Sequence, residues 1–401
     1  MIKRHLTIIS LFVGAIVLMV SNGWCGSPYS ANAIGTIIPD DIGRSRGMGG
    51  AGIANGDGMN LLRDNPALLN TFDKFSFSYE AFYNQTKTYI HDEESSTYGK
   101  INPNMIKIVL PVANNFVLGW GLSPYSRTDI NILIPNVQNG VQINDTISSF
   151  GGVNVSSAVI AGSYRNIIHF GFSLNYNFGM IQEDWERTFP ENNELNGSIY
   201  HIKRKYKGYG GTIGILANVY KNTSIGLGYT SKSDMNNNTY IISGSITNPE
   251  KLLSTKKAFL PASWRIGISS ELRERLKAVM DFKFVQWENT AREPKEKEMY
   301  NNTYSFGAGI RYIPSNRPNS LYLKKIPLSI GFKFGTLFYK SYPKINTVFE
   351  KAITLGVEIP LKEDIGTIIT SFEYGTRGDK AKNGWDETFT GVGVSLIGKI
   401  K

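Results

Sequence analysis

Beyond residue 73 the chain alternates apolar and polar side chains with a period of two. In the clearest run, Ile168, Phe170, Phe172, Leu174, Tyr176, Phe178 and Met180 alternate with His169, Gly171, Ser173, Asn175, Asn177 and Gly179. Successive side chains of a strand point to opposite faces, so the pattern predicts strands with one greasy and one wet face. Fourteen such segments are predicted, at 74–84, 104–113, 115–125, 151–165, 166–181, 207–220, 221–231, 257–271, 274–288, 302–313, 326–340, 349–361, 364–376 and 387–401. The odd-numbered links between them are long, at 85–103, 126–150, 182–206, 232–256, 289–301, 341–348 and 377–386. The even-numbered links are mostly tight, at Asn114, between Arg165 and Asn166, from Lys221 to Thr223, at Arg273 and at Glu363, with 314–325 the exception. An even strand count with long loops on one rim and short turns on the other predicts an all-β protein, an antiparallel transmembrane β-barrel of about fourteen strands. A soluble sandwich has no reason to keep that asymmetry.

The alternation fails before residue 74. Residues 34–73 carry Gly43, Gly47, Gly49, Gly50, Gly52, Gly56 and Gly58 and end in "RDNPALLNTF". Asn65 can cap a helical turn whose first position tolerates Pro66, so a short turn over 66–70 is expected, running directly into the first strand. In that strand Phe75, Phe77, Tyr79 and Ala81 share one face and Ser76, Ser78 and Glu80 the other. Side chains alone fill a barrel of about eight strands. A fourteen-stranded one needs a stopper, and the small residues of 34–73 suit a compact irregular plug, or hatch, inside the bore.

Composition adjusts this picture at the N-terminus. Lys3 and Arg4 precede an apolar run from Leu6 to Val20, the layout of a secretory signal peptide and too short for a comfortable helical span. Two cleavage zones are open, Ser21-Asn22-Gly23 close to the run and Ala31-Asn32-Ala33 further on, the second being the better small-residue pattern. The chain therefore divides into a signal at 1–33 with cleavage somewhere in 23–33, a hatch at 34–73 and a barrel at 74–401. Cys25 is the one cysteine, which excludes an intrachain disulfide, and Asn22-Gly23-Trp24 is a poor approach to an acylated cysteine. No later stretch is apolar enough for a helical span. The 43 basic against 33 acidic residues give +10. Without a nucleic-acid motif, that charge points to anionic lipid headgroups or to a lumen that attracts carboxylates.

The stretch "GRSRGMGGAGIANGDGMNLLRDNPALLNTFDKFSFSYEAFY" resembles the hatch and first strand of the FadL family of outer-membrane long-chain fatty acid transporters, which includes toluene and other hydrocarbon channels. The glycines of "GMGGAG", then Asn65, Pro66 and Ala67, then Phe72-Asp73 carry the likeness. A second patch, "FLPASWRIGISSELRERLKAVMDFKFVQWEN", is similar in its Leu-Pro, its tight turn and its Asp-bearing strand ending at Trp287. The resemblance implies a monomeric barrel in the outer membrane of a Gram-negative bacterium. It would pass long-chain fatty acids or similar hydrophobic compounds down a gradient, with no cofactor and no nucleic acid, among outer-membrane lipids. It also implies lateral release through a kinked third strand, for which Gly119, Gly121 and Pro124 are the candidates; the glycines could equally make room for the hatch. The chain departs from the family in ending on Lys401 instead of an aromatic residue, and in its polar, Asn-rich loops, where "NILIPNV" (131–137) is the best apolar capture site.

A fatty acid needs a cation for its carboxylate. Strand parity turns Lys277, Asp281 and Lys283 inward, with Arg265, Arg311 and Lys333 on neighbouring strands. If the hairpins close symmetrically, Lys283 and Lys333 flank Gly307 in one row, about 10 Å apart by strand spacing, as a carboxylate cradle with Arg311 nearby. The plainer expectation is solvated lumen lining, and Arg265 with Asp281 reads as a structural pair. Enzyme readings have little to stand on. The four histidines show no metal-ligand spacing, and His169 and Ser173 share a face without an orienting acid. The alternative function is a plugged barrel serving as scaffold or carrier for secreted surface proteins.

Overall fold

The computed structural model describes residues 26–31, 33–90, 96–113, 115–190, 195–243, 250–291, 294–315, 321–341, 345–361 and 365–400. Among these, seventeen strands form one sheet. The short β1 is Thr36–Ile37. The wall begins with β2 (Phe75–Ile90), β3 (Ser96–Ala113), β4 (Phe116–Gln138), β5 (Val141–Tyr164), β6 (Ile168–Thr188) and β7 (Ser198–Tyr220). It continues with β8 (Thr223–Thr230), β9 (Ser233–Ser243), β10 (Lys251–Leu260), β11 (Ser263–Arg273) and β12 (Leu276–Val285). The last five are β13 (Thr303–Tyr312), β14 (Leu328–Thr336), β15 (Phe349–Pro360), β16 (Gly366–Gly378) and β17 (Trp385–Ile400).

Pairing is antiparallel throughout, and β17 pairs with β2, which closes the cylinder. β8 and β9 both pair with β7 and form one stave broken at Ser231-Lys232. β10 and β11 form another, broken at Pro261-Ala262. With β1 set apart, the wall has fourteen staves, the number that the alternation predicts. The expected tight links at Asn114 and Glu363 lie outside the described residues.

The two faces of the wall follow the sequence pattern. Phe170, Phe172 and Leu174 are exposed on the outside while Ser173, Asn175 and Asn177 are buried inside. Tyr79 is 43% exposed against 0% for Glu80, its neighbour in sequence. A sheet that turns apolar side chains outward and buries carboxylates is built for a hydrocarbon surrounding. Outward aromatic pairs recur, near the long-link ends of the short strands and partway along the tall ones, Tyr176 with Tyr209, Tyr229 with Trp264, Phe284 with Tyr304 and Phe334 with Phe349. Amphipathic rings collect at a membrane–water boundary in this way.

Several segments expected as loops are strands instead. β4 to β7 run 21 to 24 residues, whereas β12, β13 and β14 have 9 or 10. A tilted strand crosses a bilayer in about 9–11 residues, so one side of the wall stands far above the other. "NILIPNV" lies at the top of β4 on this tall side, with Leu133 and Val137 exposed.

Residues 40–72 fill the bore. Their side chains and backbone bond to the inner faces of strands all around the circle, from Glu80 on β2 to Asp281 on β12 and Glu358 on β15. The turn after Asn65 is a 3-10 helix, Pro66–Thr71, and the Asn65 side chain accepts from the N–H of Ala67 at 3.1 Å. The wall makes room for this segment with inward glycines. A Cβ at Gly307, Gly309 or Gly331 would collide with Met48 or Gly49. Gly49 itself has φ +69°, a left-handed backbone that a side chain strains, and lies against the carbonyl of Phe332.

Candidate functional site

The site is built from the hatch upward. Arg44 reaches Asp57 in its own segment and, through Nε, Glu358 of β15 at 2.7 Å, and Arg311 meets the same Glu358 at 2.6 Å. Arg46 donates to Glu80 at 3.0 Å, lies 3.8 Å from Glu373 and stacks over Phe82. On the other side, Arg265 binds Asp64 at 3.2 Å and Asp281 at 2.9 Å, and Lys283 binds Asp64 at 2.6 Å. The same Asp281 oxygen, Oδ2, also accepts from the N–H groups of Gly52 and Ile53. Burial opposes ionisation of Asp64, but Lys283, Arg265 and Arg63 outweigh it and hold the carboxyl below the usual range. Asp57 is held down likewise, burial being overcome chiefly by Arg44.

Buried charges in this number are tolerable only because each has a partner. That bears directly on the predicted carboxylate cradle. Lys333 is engaged by Glu373 and lies 3.5 Å from Glu350, Lys283 by Asp64 and Arg311 by Glu358. The register also differs from the expected row. Gly307 faces Lys333 on one side and Asp281 on the other, while Lys283 faces Ser305 one step away. The link from β12 to β13 is long, so its length does not fix the pairing. The Arg265–Asp281 pair stands as expected; the hatch residue Asp64 joins it, which no strand pattern could foretell.

Above the hatch lies a chamber of about 360 Å³. Its floor holds Arg46, Lys333 and Arg377 with their carboxylates, and its roof is apolar. Trp287 stacks on Phe338 at 4.1 Å, with Tyr125, Ile34, Tyr206 and Leu260 in the same cluster. Buried Asp41 Oδ1 and Arg46 Nε, both from chamber-lining residues, have no hydrogen-bond partner among the described residues.

Among the described residues the chamber wall is interrupted where β3 and β4 part. β3 and β4 pair only from Ile106–Leu122 down to Ala113–Phe116. Beyond Leu122 the two strands part, and β4 carries an irregularity between Pro124 and Ser126 against β5. Gly119 and Gly121 lie in the paired stretch below. A Cβ on Gly119 would meet Leu69 of the hatch and one on Gly121 would meet Lys107, so these glycines make room, while Pro124 marks the parting. Within the parting, Thr36 and Ile37 of β1 pair with Arg127 and Ser126, and Tyr98 and Lys100 of β3 reach across to Asp129. Nothing in the sequence pattern singles out this two-residue strand.

The residues of the enzyme reading are committed elsewhere. His169 Nδ1 is 2.8 Å from Asn70 of the hatch, and Ser173 donates to Asn175. Among the described residues there is no cluster suited to a metal ion.

Fold and site together define a membrane-spanning β-barrel, plugged by its own N-terminal segment and holding an apolar-roofed chamber above the plug. The chain belongs to the BamG family, whose model matches residues 1–398. No curated protein matches it. Among solved structures, it is similar to the toluene transporter TodX of Pseudomonas putida, with a TM-score of 0.60 and 15% identity over 90% of this chain and 99% of that one. The toluene transporter TbuX of Ralstonia pickettii gives 0.59 and 15% over 90% and 99%. A FadL homologue of Pseudomonas aeruginosa gives 0.58 and 10% over 90% and 98%. At these identities the likeness to FadL-type channels is one of fold.

Proposed function

We propose that this barrel lies in an outer membrane and admits hydrophobic small molecules to its chamber, releasing them sideways where β3 and β4 part. The observation that carries this reading is the apolar-roofed chamber of about 360 Å³, which reaches both β3 and β4 at their parting, through Asn102, Asn104, Pro124 and Tyr125. A pocket of this kind, mostly apolar with a few polar groups, suits a small hydrophobic ligand. Within that class, neutral molecules fit better than fatty acids. Lys283, Lys333 and Arg311 already have carboxylates, and an incoming one would have to displace Asp64, Glu373 or Glu358.

The test is equilibrium binding of a neutral aromatic hydrocarbon and of a long-chain fatty acid to purified protein, compared with Trp287→Ala and with Lys283→Met/Lys333→Met. Trp287→Ala should weaken hydrocarbon binding about tenfold or more, by loss of a large apolar contact surface. The lysine pair should weaken it far less than Trp287→Ala does. Strong fatty acid binding that the lysine pair abolishes would restore the carboxylate cradle, and no binding of either ligand would defeat the uptake reading.

The tall wall favours a second reading, a scaffold for other proteins. β4 to β7 have about twice the length that a membrane crossing uses and carry their extra half beyond the aromatic pairs. Protein partners that stay with the barrel through detergent extraction, and are lost when residues 129–148 are shortened to a tight turn, would establish it.

A further inference from the structure

Residues 26–31 and 33–38 do not behave as part of a discarded leader. The Ser27 hydroxyl donates to buried Glu387 of β17 at 2.6 Å, a carboxylate that also receives Arg377 and Thr88. Tyr29 is 7% exposed, packs on Trp385 with ring centroids 5.4 Å apart and donates to its carbonyl. Thr128 of β4 donates to the carbonyl of Ser30, and Gly26 lies directly against the backbone of Asp129, where a Cβ would collide. Ile34 packs in the apolar cluster of Trp287 and Phe338, and Ile38 N–H donates to the Tyr125 carbonyl at 2.9 Å. The segment thus follows the free edge of β4, from Gly26 at Asp129 to Ile38 at Tyr125, with Ser27 and Tyr29 reaching to β17. It supplies hydrogen bonds that this edge would otherwise leave open.

We propose that processing of the exported chain cuts before Gly26, at the Ser21-Asn22-Gly23 zone, and that residues 26–38 remain as a strap sealing the parting of β3 and β4. A cut after Ala33 would remove Ser27, Tyr29 and Ser30 together. Glu387 would lose a hydroxyl, Trp385 its ring partner and Thr128 an acceptor, all inside the barrel. Ser21 and Gly23 are small residues placed directly after the apolar run, as a leader cut requires. The strap rests on the geometry alone, whereas its service as a gate also rests on the lateral-release reading above.

The first test is the N-terminal sequence and intact mass of the protein purified from membranes. A first residue between Trp24 and Gly26 supports the proposal; a chain that starts at Ile34, or that keeps Met1, overturns it. The second uses a Cys25→Ser background with Thr36→Cys and Arg127→Cys, which are direct cross-strand partners and lie within bridging distance. Mild oxidation should cross-link most of the protein, and absence of the cross-link in folded barrel would overturn the strap. Ile37→Cys/Ser126→Cys repeats the test one residue along, with Arg127 intact. If the cross-linked protein forms and uptake of a hydrophobic probe falls tenfold or more, recovering with reductant, the strap is the gate. Unchanged uptake in fully cross-linked protein would remove lateral release and leave the sealed wall standing.

Discussion

The hatch and the strap are adjacent stretches of one segment, yet they are held in opposite ways. The hatch, residues 40–72, is fastened by charge. Arg44, Arg46 and Asp64 each join it to wall residues that are themselves almost fully buried. The strap, residues 26–38, is fastened by a two-residue strand pairing, a few neutral or single-charge hydrogen bonds and the packing of Tyr29 and Ile34. Breaking a buried ion pair strands a charge in low dielectric, whereas releasing a hydrogen-bonded edge to water costs far less. Release of the stopper therefore costs more than release of the strap, which makes the strap the weaker of the two attachments.

The largest effect should come from Arg265→Met. It leaves Asp64 with Lys283 as its remaining direct ion-pair partner and Asp281 without the Arg265 cation, and loss of one partner from a buried cluster costs about 3–5 kcal/mol. Thermal unfolding in detergent should show that loss. A near-native melting temperature would mean that the hatch is not held by its charges.

Acid attacks the same fastening. Asp57 and Asp64 have their pKa values lowered in the folded chain, so their contribution is complete above the ordinary carboxylate value of 3.8. It declines as pH falls below that value and disappears once the folded carboxylates are protonated. Hydrogen exchange of residues 40–72, corrected for intrinsic rates, should be unaltered between pH 7 and pH 5 and should accelerate at still lower pH. Hatch loosening that began near neutrality would point to some other group.

Next in size is Gly49→Ala. A side chain at its left-handed φ costs roughly 1–2 kcal/mol, and here the new Cβ also meets the carbonyls of Phe332 and Ala308. Lower stability should come with faster exchange in the hatch around residues 46–53. An unchanged melting temperature would show that this turn does not seat on β13 and β14 as described.

What the sequence disclosed, and what it hid, follow the same physics. Wherever one face of a strand meets hydrocarbon and the other the bore, alternation is forced. The strand from Ile168 to Met180 and the count of staves were therefore legible. Above the membrane no hydrocarbon enforces an apolar outer face on β4 to β7, the period-two signal weakens, and "KRKYK" or "RTDIN" reads as loop although Tyr206 and Ile130 are buried. Asn65-Pro66-Ala67 was legible as a cap with its turn because capping is local. The partners of Lys283 and Lys333 were not. They are a hatch aspartate and glutamates on β15 and β16, hundreds of residues away or across a long link whose length leaves the register open. β1 was invisible because a two-residue strand has no period to detect.

The finest test of the contrast is Ile38→Pro. Its N–H is the strap's donor to Tyr125, proline removes it, and Ile37 before it is already extended. A single neutral hydrogen bond at an edge contributes about 1 kcal/mol, so global stability should barely change. Local opening of the strap is governed by few such bonds, however, and the same loss should raise exchange at Thr36 and Ile37 several-fold while residues 44–69 stay protected. If hatch and strap amides instead accelerated together, the two would open as one unit and the division between a strongly held stopper and a weakly held seal would be lost.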